Sequence, residues 1–450
     1  MKLKLTFMIA GLAIGLALPA FGDEALDELK RRVAELEAQV ERLEATEDTA
    51  AAVAELKRRI DLLAAEIERS RTGGAVEVDP TQGGTFGFAP AASKVFRAPK
   101  GVSLGGYGEA LYENFAGERE DGAASGRSDQ FDFLRQIIYV GYKFNDKILF
   151  NSEIEFEHAS TGKGGEVSVE FAYIDWKPAA RVGLRAGMLL VPMGFLNELH
   201  EPPIFHGAKR PEVEQAIVPS TWRENGAGLY GDAGPFQWRA YAVSGLLSSG
   251  LSASGIRGAR QSGARSKSED LALTGRLDFT GVEGLVVGAS FFTGNSGQGA
   301  VVAGQALDAR VSLVDVHGQF ERRGLQLRAL YSQGSIGDAA LVNRANNLTG
   351  NKSVGEDQYG WYVQAAFDLM TLGSPSQCSI TPFVRYEKLD AQDGVPAGFQ
   401  DDPASERSVL TAGVGLKPIP NIVFKADFQQ HKNEARTGVD QWNLAVGWLF

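Results

Sequence analysis

The chain has 450 residues, a formal net charge of −11, 54 glycines and one cysteine, Cys378. That length removes small size as a constraint on folding, and the acidic balance excludes a general nucleic-acid binder, which needs a basic footprint to neutralise phosphates. A lone cysteine excludes an intrachain disulfide and any cysteine-based metal site.

Residues 1–22, MKLKLTFMIAGLAIGLALPAFG, have a short basic start, an apolar run from Leu5 to Leu18 and small residues at Ala20 and Gly22. This pattern predicts a secretory signal peptide cleaved before Asp23. The run is shorter than the ~20 residues of a membrane-spanning helix. No later segment is long and apolar enough to span as a helix, so any work in a membrane is expected of strands.

Residues 23–71 are rich in Glu, Arg, Ala and Leu. Leu26, Leu29, Val33, Leu36, Val40 and Leu43 alternate spacings of three and four, as do Val53, Leu56, Ile60, Leu63 and Ile67. The spacing predicts an α-helical coiled coil in two pieces, broken at residues 46–52 and placed in the periplasm. Its core residues favour two strands by the packing rules for such coils. Residues 72–100 carry Gly, Pro and small residues without a period, and read as a flexible linker or a lightly ordered plug segment.

From Gly101 onward the period is two. In residues 147–158, KILFNSEIEFEH, Ile148, Phe150, Ile154 and Phe156 oppose Asn151, Glu153, Glu155 and Glu157. In residues 166–173, Val167, Val169, Phe171 and Tyr173 oppose Glu166, Ser168 and Glu170. In residues 439–450, Trp442, Leu444, Val446, Trp448 and Phe450 share one face. Such segments run about 10 to 14 residues, the length of tilted strands crossing a bilayer. Sixteen are predicted, at 101–114, 131–144, 147–157, 166–177, 181–191, 226–232, 236–247, 269–279, 284–294, 309–321, 325–335, 358–370, 378–390, 407–417, 421–432 and 440–450. Their connections alternate short (FND, KPAA, DAGP, GVEG, ERRG, TLGSPSQ, PIPN) and mostly long, as the periplasmic turns and outer loops of a barrel do. The fold class expected for 101–450 is therefore an all-β transmembrane barrel of about 16 antiparallel strands, wide enough for an aqueous lumen.

Specificity is expected inside that lumen. Inward projection of the polar face gives Arg135, Arg185, Arg239, Arg276, Arg328, Arg385 and Lys425 as pore-lining cations, with Glu153, Glu155, Glu157 and Glu170 as acidic counterparts. Rings of such cations would replace the hydration of a passing anion with charge-assisted bonds. The longest connection, the third outer loop, contributes Glu198, His200, Glu201, His206, Lys209, Arg210, Glu212 and Arg223 as constriction candidates. His200 and His206, near Glu198 and Glu201, could bind a divalent ion, but a spacing of six across Pro202 and Pro203 is a weak signal for it, so they are read as polar lining. GAGLYG at 226–231 matches a dinucleotide fingerprint but lacks its strand–turn–helix context. No Ser–His constellation stands out, and the chain is expected to be no enzyme and to need no metal or cofactor.

Residues 185–231, RAGMLLVPMGFLNELHEPPIFHGAKRPEVEQAIVPSTWRENGAGLYG, resemble the phosphate-selective porin O and P family of Gram-negative outer membranes, especially its broad branch. VPMGFLNE, RPEVE and STWRENGAGL carry the resemblance most distinctly, and it extends over about residues 95–450. It implies a sixteen-stranded barrel, a homotrimer and passive uptake of anionic or small polar solutes, phosphate among them. The acidic charge and the Glu cluster at 153–170 depart from a dedicated phosphate filter. Expected partners are outer-membrane lipid and lipopolysaccharide, and the barrel-assembly machinery, for which the terminal Phe450 resembles the recognition signal. The rival reading is a structural tether, with the barrel as anchor and the coil, roughly 65–70 Å long at ~1.5 Å per residue, reaching peptidoglycan or another envelope partner.

Overall fold

A strand that is apolar on one face and polar on the other can bury its backbone hydrogen bonds in lipid only if the sheet has no free edge. The computed structural model places the chain in that solution. It describes residues 87–162, 164–373 and 377–450, together with Arg31, Glu35 and Arg58. The expected signal peptide and nearly all of the expected coiled coil lie outside the described residues. Residues 77–97 and 104–450 make one compact unit; the other comprises residues 1–76 and 98–103. In the latter Arg31 and Glu35 are helical and ion-paired at 2.5 Å.

Sixteen antiparallel strands close a barrel. They are β1 (Gly101–Phe115), β2 (Gln130–Asn145), β3 (Ile148–Glu157), β4 (Val167–Ala179), β5 (Val182–Leu190), β6 (Arg223–Ala233), β7 (Phe236–Ser244), β8 (Leu271–Val282), β9 (Leu285–Gly294), β10 (Val311–Arg322), β11 (Leu325–Ile336), β12 (Asp357–Phe367), β13 (Ser379–Gly394), β14 (Arg407–Ile419), β15 (Ile422–Asn433) and β16 (Gln441–Leu449). Every expected strand is present. Each pairs with its sequence neighbour, and β1 closes on β16 in the register Tyr107↔Leu449 to Phe115↔Gln441. Phe450 extends that seam, exchanging two backbone hydrogen bonds with Gly106 at 2.9 and 3.0 Å.

Leu229, Leu277, Val316, Val363, Phe424 and Leu444 are exposed on the outer face, the apolar band that lipid would cover. Trp442 and Phe131 stand at the long-loop rim and Trp176 and Phe236 at the short-turn rim, all exposed. No helix among the described residues is long and apolar enough to cross a membrane.

Two expectations need correction. Strict alternation sent Phe171 and Tyr173 outward, yet both are buried inside. The cause is a bulge: β3 pairs Glu153 with Phe171 and Ile154 with Val169, leaving Glu170 as the extra residue. A bulge shifts the parity of everything beyond it. Arg223 was assigned to the third loop but opens β6 and pairs with Leu190, because the ladder begins three residues before the expected Gly226.

Candidate functional site

The third long loop, L3 (residues 191–222), carries apolar side chains among its charged ones, and these seat it on the wall. Val191, Met193, Phe195, Leu196, Phe205 and Trp222 are all buried in one cluster with the inner wall. Trp222 packs against Phe292 of β9 with ring centroids 4.5 Å apart. The loop's base is pinned by Asn197, which donates to the Val191 and Trp222 carbonyls at 2.6 and 2.9 Å and accepts from the Trp222 amide at 2.6 Å. A short helix, α1 (Val213–Ala216), and a 3-10 turn at Pro202–Ile204 give it shape.

L3 folds inward, as expected, and reaches the far wall. The Gly194 amide donates to Asp315 of β10 at 3.1 Å, and Arg276 of β8 donates to the Gly194 carbonyl. The Val213 amide donates to Glu387 of β13 at 3.2 Å, the Ala208 amide to Asp427 of β15 at 2.5 Å, and Lys209 pairs with Glu113 of β1 at 2.9 Å. Tyr362 of β12 donates to Glu214 at 2.6 Å, and Glu214 accepts the Phe195 and Leu196 amides. Gly447 of β16 makes room: a Cβ there would lie 2.4 Å from Pro202 Cβ.

Residues 87–97, within the expected linker, also lie against the inner wall. The Ala91 and Ala92 amides donate to Glu201 of L3 at 3.2 and 2.9 Å, and Asn151 of β3 donates to the Ala92 carbonyl at 2.9 Å. Phe88 sits over Phe171 and Tyr173, with centroids 5.2 and 5.5 Å away. Val95 fills the space above Gly141 of β2, where a Cβ would approach its side chain to 2.6 Å.

The candidate cations occupy inward positions, mostly in pairs. Arg135 meets Glu109 at 2.8 Å and Glu155 at 3.2 Å; Arg185 meets Asp175 at 3.1 Å under the rings of Phe88, Tyr173 and Tyr230. Arg239 bridges Glu198 of L3 and Asp278, both at 3.1 Å, and Arg276 joins the same Asp278 at 2.7 Å. Arg385 pairs with Glu387 at 2.8 Å. Arg328 instead bonds Gln319 and lies over Phe195, and Lys425 lies 3.6 Å from the centroid of Phe205. Together with Lys417, which donates to the Pro203 carbonyl at 2.7 Å, they form a cationic sector on β11, β14 and β15. Among the described residues no carboxylate lies within ion-pair distance of these three. Lys417 and Lys425 line a small cavity beside His206 of L3.

Acidic groups collect on a neighbouring stretch of wall, β1 to β4, where Glu109, Glu113, Glu153, Glu155 and Glu170 are all buried. Glu157 is half-buried near the long-loop rim. In L3, Glu212 pairs with Arg407 at 3.2 Å and Arg210 is buried. Burial pushes the Glu201 carboxyl up to about 7 against the pull of its two amide donors, and pushes His206 down to about 3, with Arg328, Lys417 and Lys425 adding to the second shift.

Sequence reasoning missed Asp175, Asp315 and His317. His317 bridges Asp315 at 2.6 Å and Asp278 at 2.8 Å, and alternation along β10 was the signal that could have placed them inside. Alternation gave no hint of Glu170's neighbours, since the bulge has no signature in the residues themselves.

No model of a known protein family matches the chain. An uncharacterized protein of Aquifex aeolicus (strain VF5) is 35% identical over 376 residues, covering 81% of this chain and 83% of that one. The chain belongs to the same family as that protein. Among solved structures, the outer membrane channel DcaP of Acinetobacter baumannii matches with a TM-score of 0.51 and 14% identity, over 78% of this chain and 97% of the other. OmpF of Salmonella typhi, solved in complex with daunomycin, matches with a TM-score of 0.51 and 11% identity over the same shares. Both share the fold of this chain.

Proposed function

We propose that the chain is an outer-membrane porin through which small polar or anionic solutes diffuse passively, narrowed by L3 and by residues 87–97. One observation carries the reading: a closed sixteen-stranded wall, apolar outside, whose inner face bears charge of both signs around an inward loop. An even-stranded wall of that size is what a diffusion channel needs. The fold shared with DcaP, itself described as an outer membrane channel, supports the same reading. The seven basic candidates do not form a free ring, since most are neutralised by neighbours. We assign the anion-facing role to the unpaired sector of Arg328, Lys417 and Lys425, with phosphate among the solutes, and the barrel to a homotrimer in the outer membrane.

The test is reversal potential across a planar bilayer in a salt gradient. The assignment expects chloride to be preferred, and Arg328→Gln with Lys425→Gln to reduce that preference. A cation preference in the unaltered protein refutes it and gives control to the acidic stretch of β1 to β4.

A further inference from the structure

The bulge in β4 has a chemical result. Glu170, the extra residue, turns inward beside Glu153 of β3, and both side chains are fully buried. Bulges are a recurrent means of re-aiming one side chain at a site. From L3, His200 comes down onto the pair. Its Nε2 lies 3.0 Å from Glu153 Oε1 and 3.7 Å from Glu170 Oε2, and one donor atom of each residue lies within 4.8 Å of the other two.

The other ring nitrogen fixes the tautomer of the neutral ring. His200 Nδ1 is 3.0 Å from the Asn197 carbonyl oxygen, which can only accept. Nδ1 therefore carries a proton, and in its neutral form the ring presents its Nε2 lone pair to the two carboxylates. A backbone carbonyl orienting a histidine in this way is the usual support behind a metal ligand. The Oε2 atoms of both Glu153 and Glu170 are buried without a hydrogen-bond donor, and so are the hydroxyls of Tyr107 and Tyr139. The Tyr107 ring stands edge-on to the imidazole at 5.9 Å. Nearby arginines leave those oxygens unmet: Arg223 reaches only Glu170 Oε1, at 3.3 Å, Arg135 is taken by Glu109 and Glu155, and Arg210, buried close enough to act on Glu153 and His200, makes no ion pair with Glu153 or Glu170. Three electron-pair donors thus face one another in a buried site, and the guanidiniums around it do not reach the two Oε2 atoms.

We propose that Glu153, Glu170 and His200 form a binding site for one divalent transition ion of the zinc class. Donors held ~2.1 Å from a common ion at tetrahedral or octahedral angles lie roughly 3.0–3.4 Å apart; the 3.0 Å separation to Glu153 meets that range, and the 3.7 Å separation to Glu170 needs a small inward shift of one side chain on binding. Imidazole with carboxylates suits Zn²⁺ and its neighbours better than Mg²⁺ or Ca²⁺, which prefer all-oxygen shells. The ion staples L3 to the wall at the junction of β3 and β4, so it fixes the width of the channel as well as its local charge.

The full-length protein, extracted in detergent, stripped with EDTA and desalted, is titrated with Zn²⁺ and its metal content measured by mass spectrometry. Co²⁺ substitution reports coordination through its visible absorption. The site expects one ion per chain and a tetrahedral-type Co²⁺ spectrum. Glu153→Gln and Glu170→Gln should each weaken binding by about tenfold or more, with the heat-modifiable gel mobility of a folded barrel retained. His200→Ala should abolish the Co²⁺ spectrum. Less than about a tenth of an ion per folded chain, or full binding that survives Glu153→Gln and Glu170→Gln combined, overturns the proposal. It would leave the cluster as carboxyls sharing a proton with a charged histidine. The readout is metal content, so it stands or fails separately from conduction.

Discussion

Arg185 condenses what the inner wall asks of a single residue. Its guanidinium is nearly fully buried, paired to Asp175 and enclosed by three aromatic rings. Arg185→Ala strands the Asp175 charge, which costs about 3–5 kcal/mol when a buried pair is broken from one side. The loss should appear as a lower urea midpoint for barrel unfolding, and an unchanged midpoint contradicts the pairing. Phe450 acts at the β1–β16 seam. Phe450→Ala is expected to lower the yield of folded barrel while leaving the conductance of assembled molecules unaltered, measured as the folded fraction on unheated gels and as single-channel steps. At this scale alternation was a sound guide on β3, β15 and β16, where Glu153, Lys425 and Asn443 all face inward. It failed on β4, because one unpaired residue reverses the faces and nothing in the residue types announces it.

Elements were more legible than residues. Both ends of all sixteen strands fall within four residues of their expected positions, because period-two alternation and Gly- or Pro-bearing turns are strong local signals. The inward course of L3 was an expectation drawn from its length and from resemblance, and its apolar residues explain it. The docking of residues 87–97 was not legible: that stretch has no period, and its fit depends on the absent side chain of Gly141 in a strand far along the chain. Gly141→Leu should expel Val95 and widen the pore, read as a larger single-channel conductance. An unchanged conductance would mean that the segment does not narrow the path.

L3 has its own pH dependence. His206 Nε2 donates to Gln326 Oε1 at 2.7 Å, and the ring stacks on Phe383 and faces Arg328, Lys417 and Lys425. Its value is depressed from the usual 6.5 to about 3, so the seating it contributes is fully present above pH 6.5 and is lost as pH falls toward 3. Current noise and mean conductance should therefore rise between pH 7 and pH 4. His206→Gln, which keeps a hydrogen-bonding group and cannot charge, should flatten the change.

For the whole molecule, closure is the governing constraint. A sheet with lipid outside has no other way to satisfy its edges, and the chain shares the fold of DcaP and OmpF. The inside is more crowded than sequence reading suggested, with L3 and residues 87–97 both lodged against the wall. Crowding makes passive conduction the claim with most at stake against the rival of a barrel serving as an anchor. The direct measurement is the full-length purified protein in a planar bilayer under applied voltage. A porin gives discrete, ion-permeable steps that grow with salt concentration; a membrane that stays silent with folded barrel inserted contradicts the account.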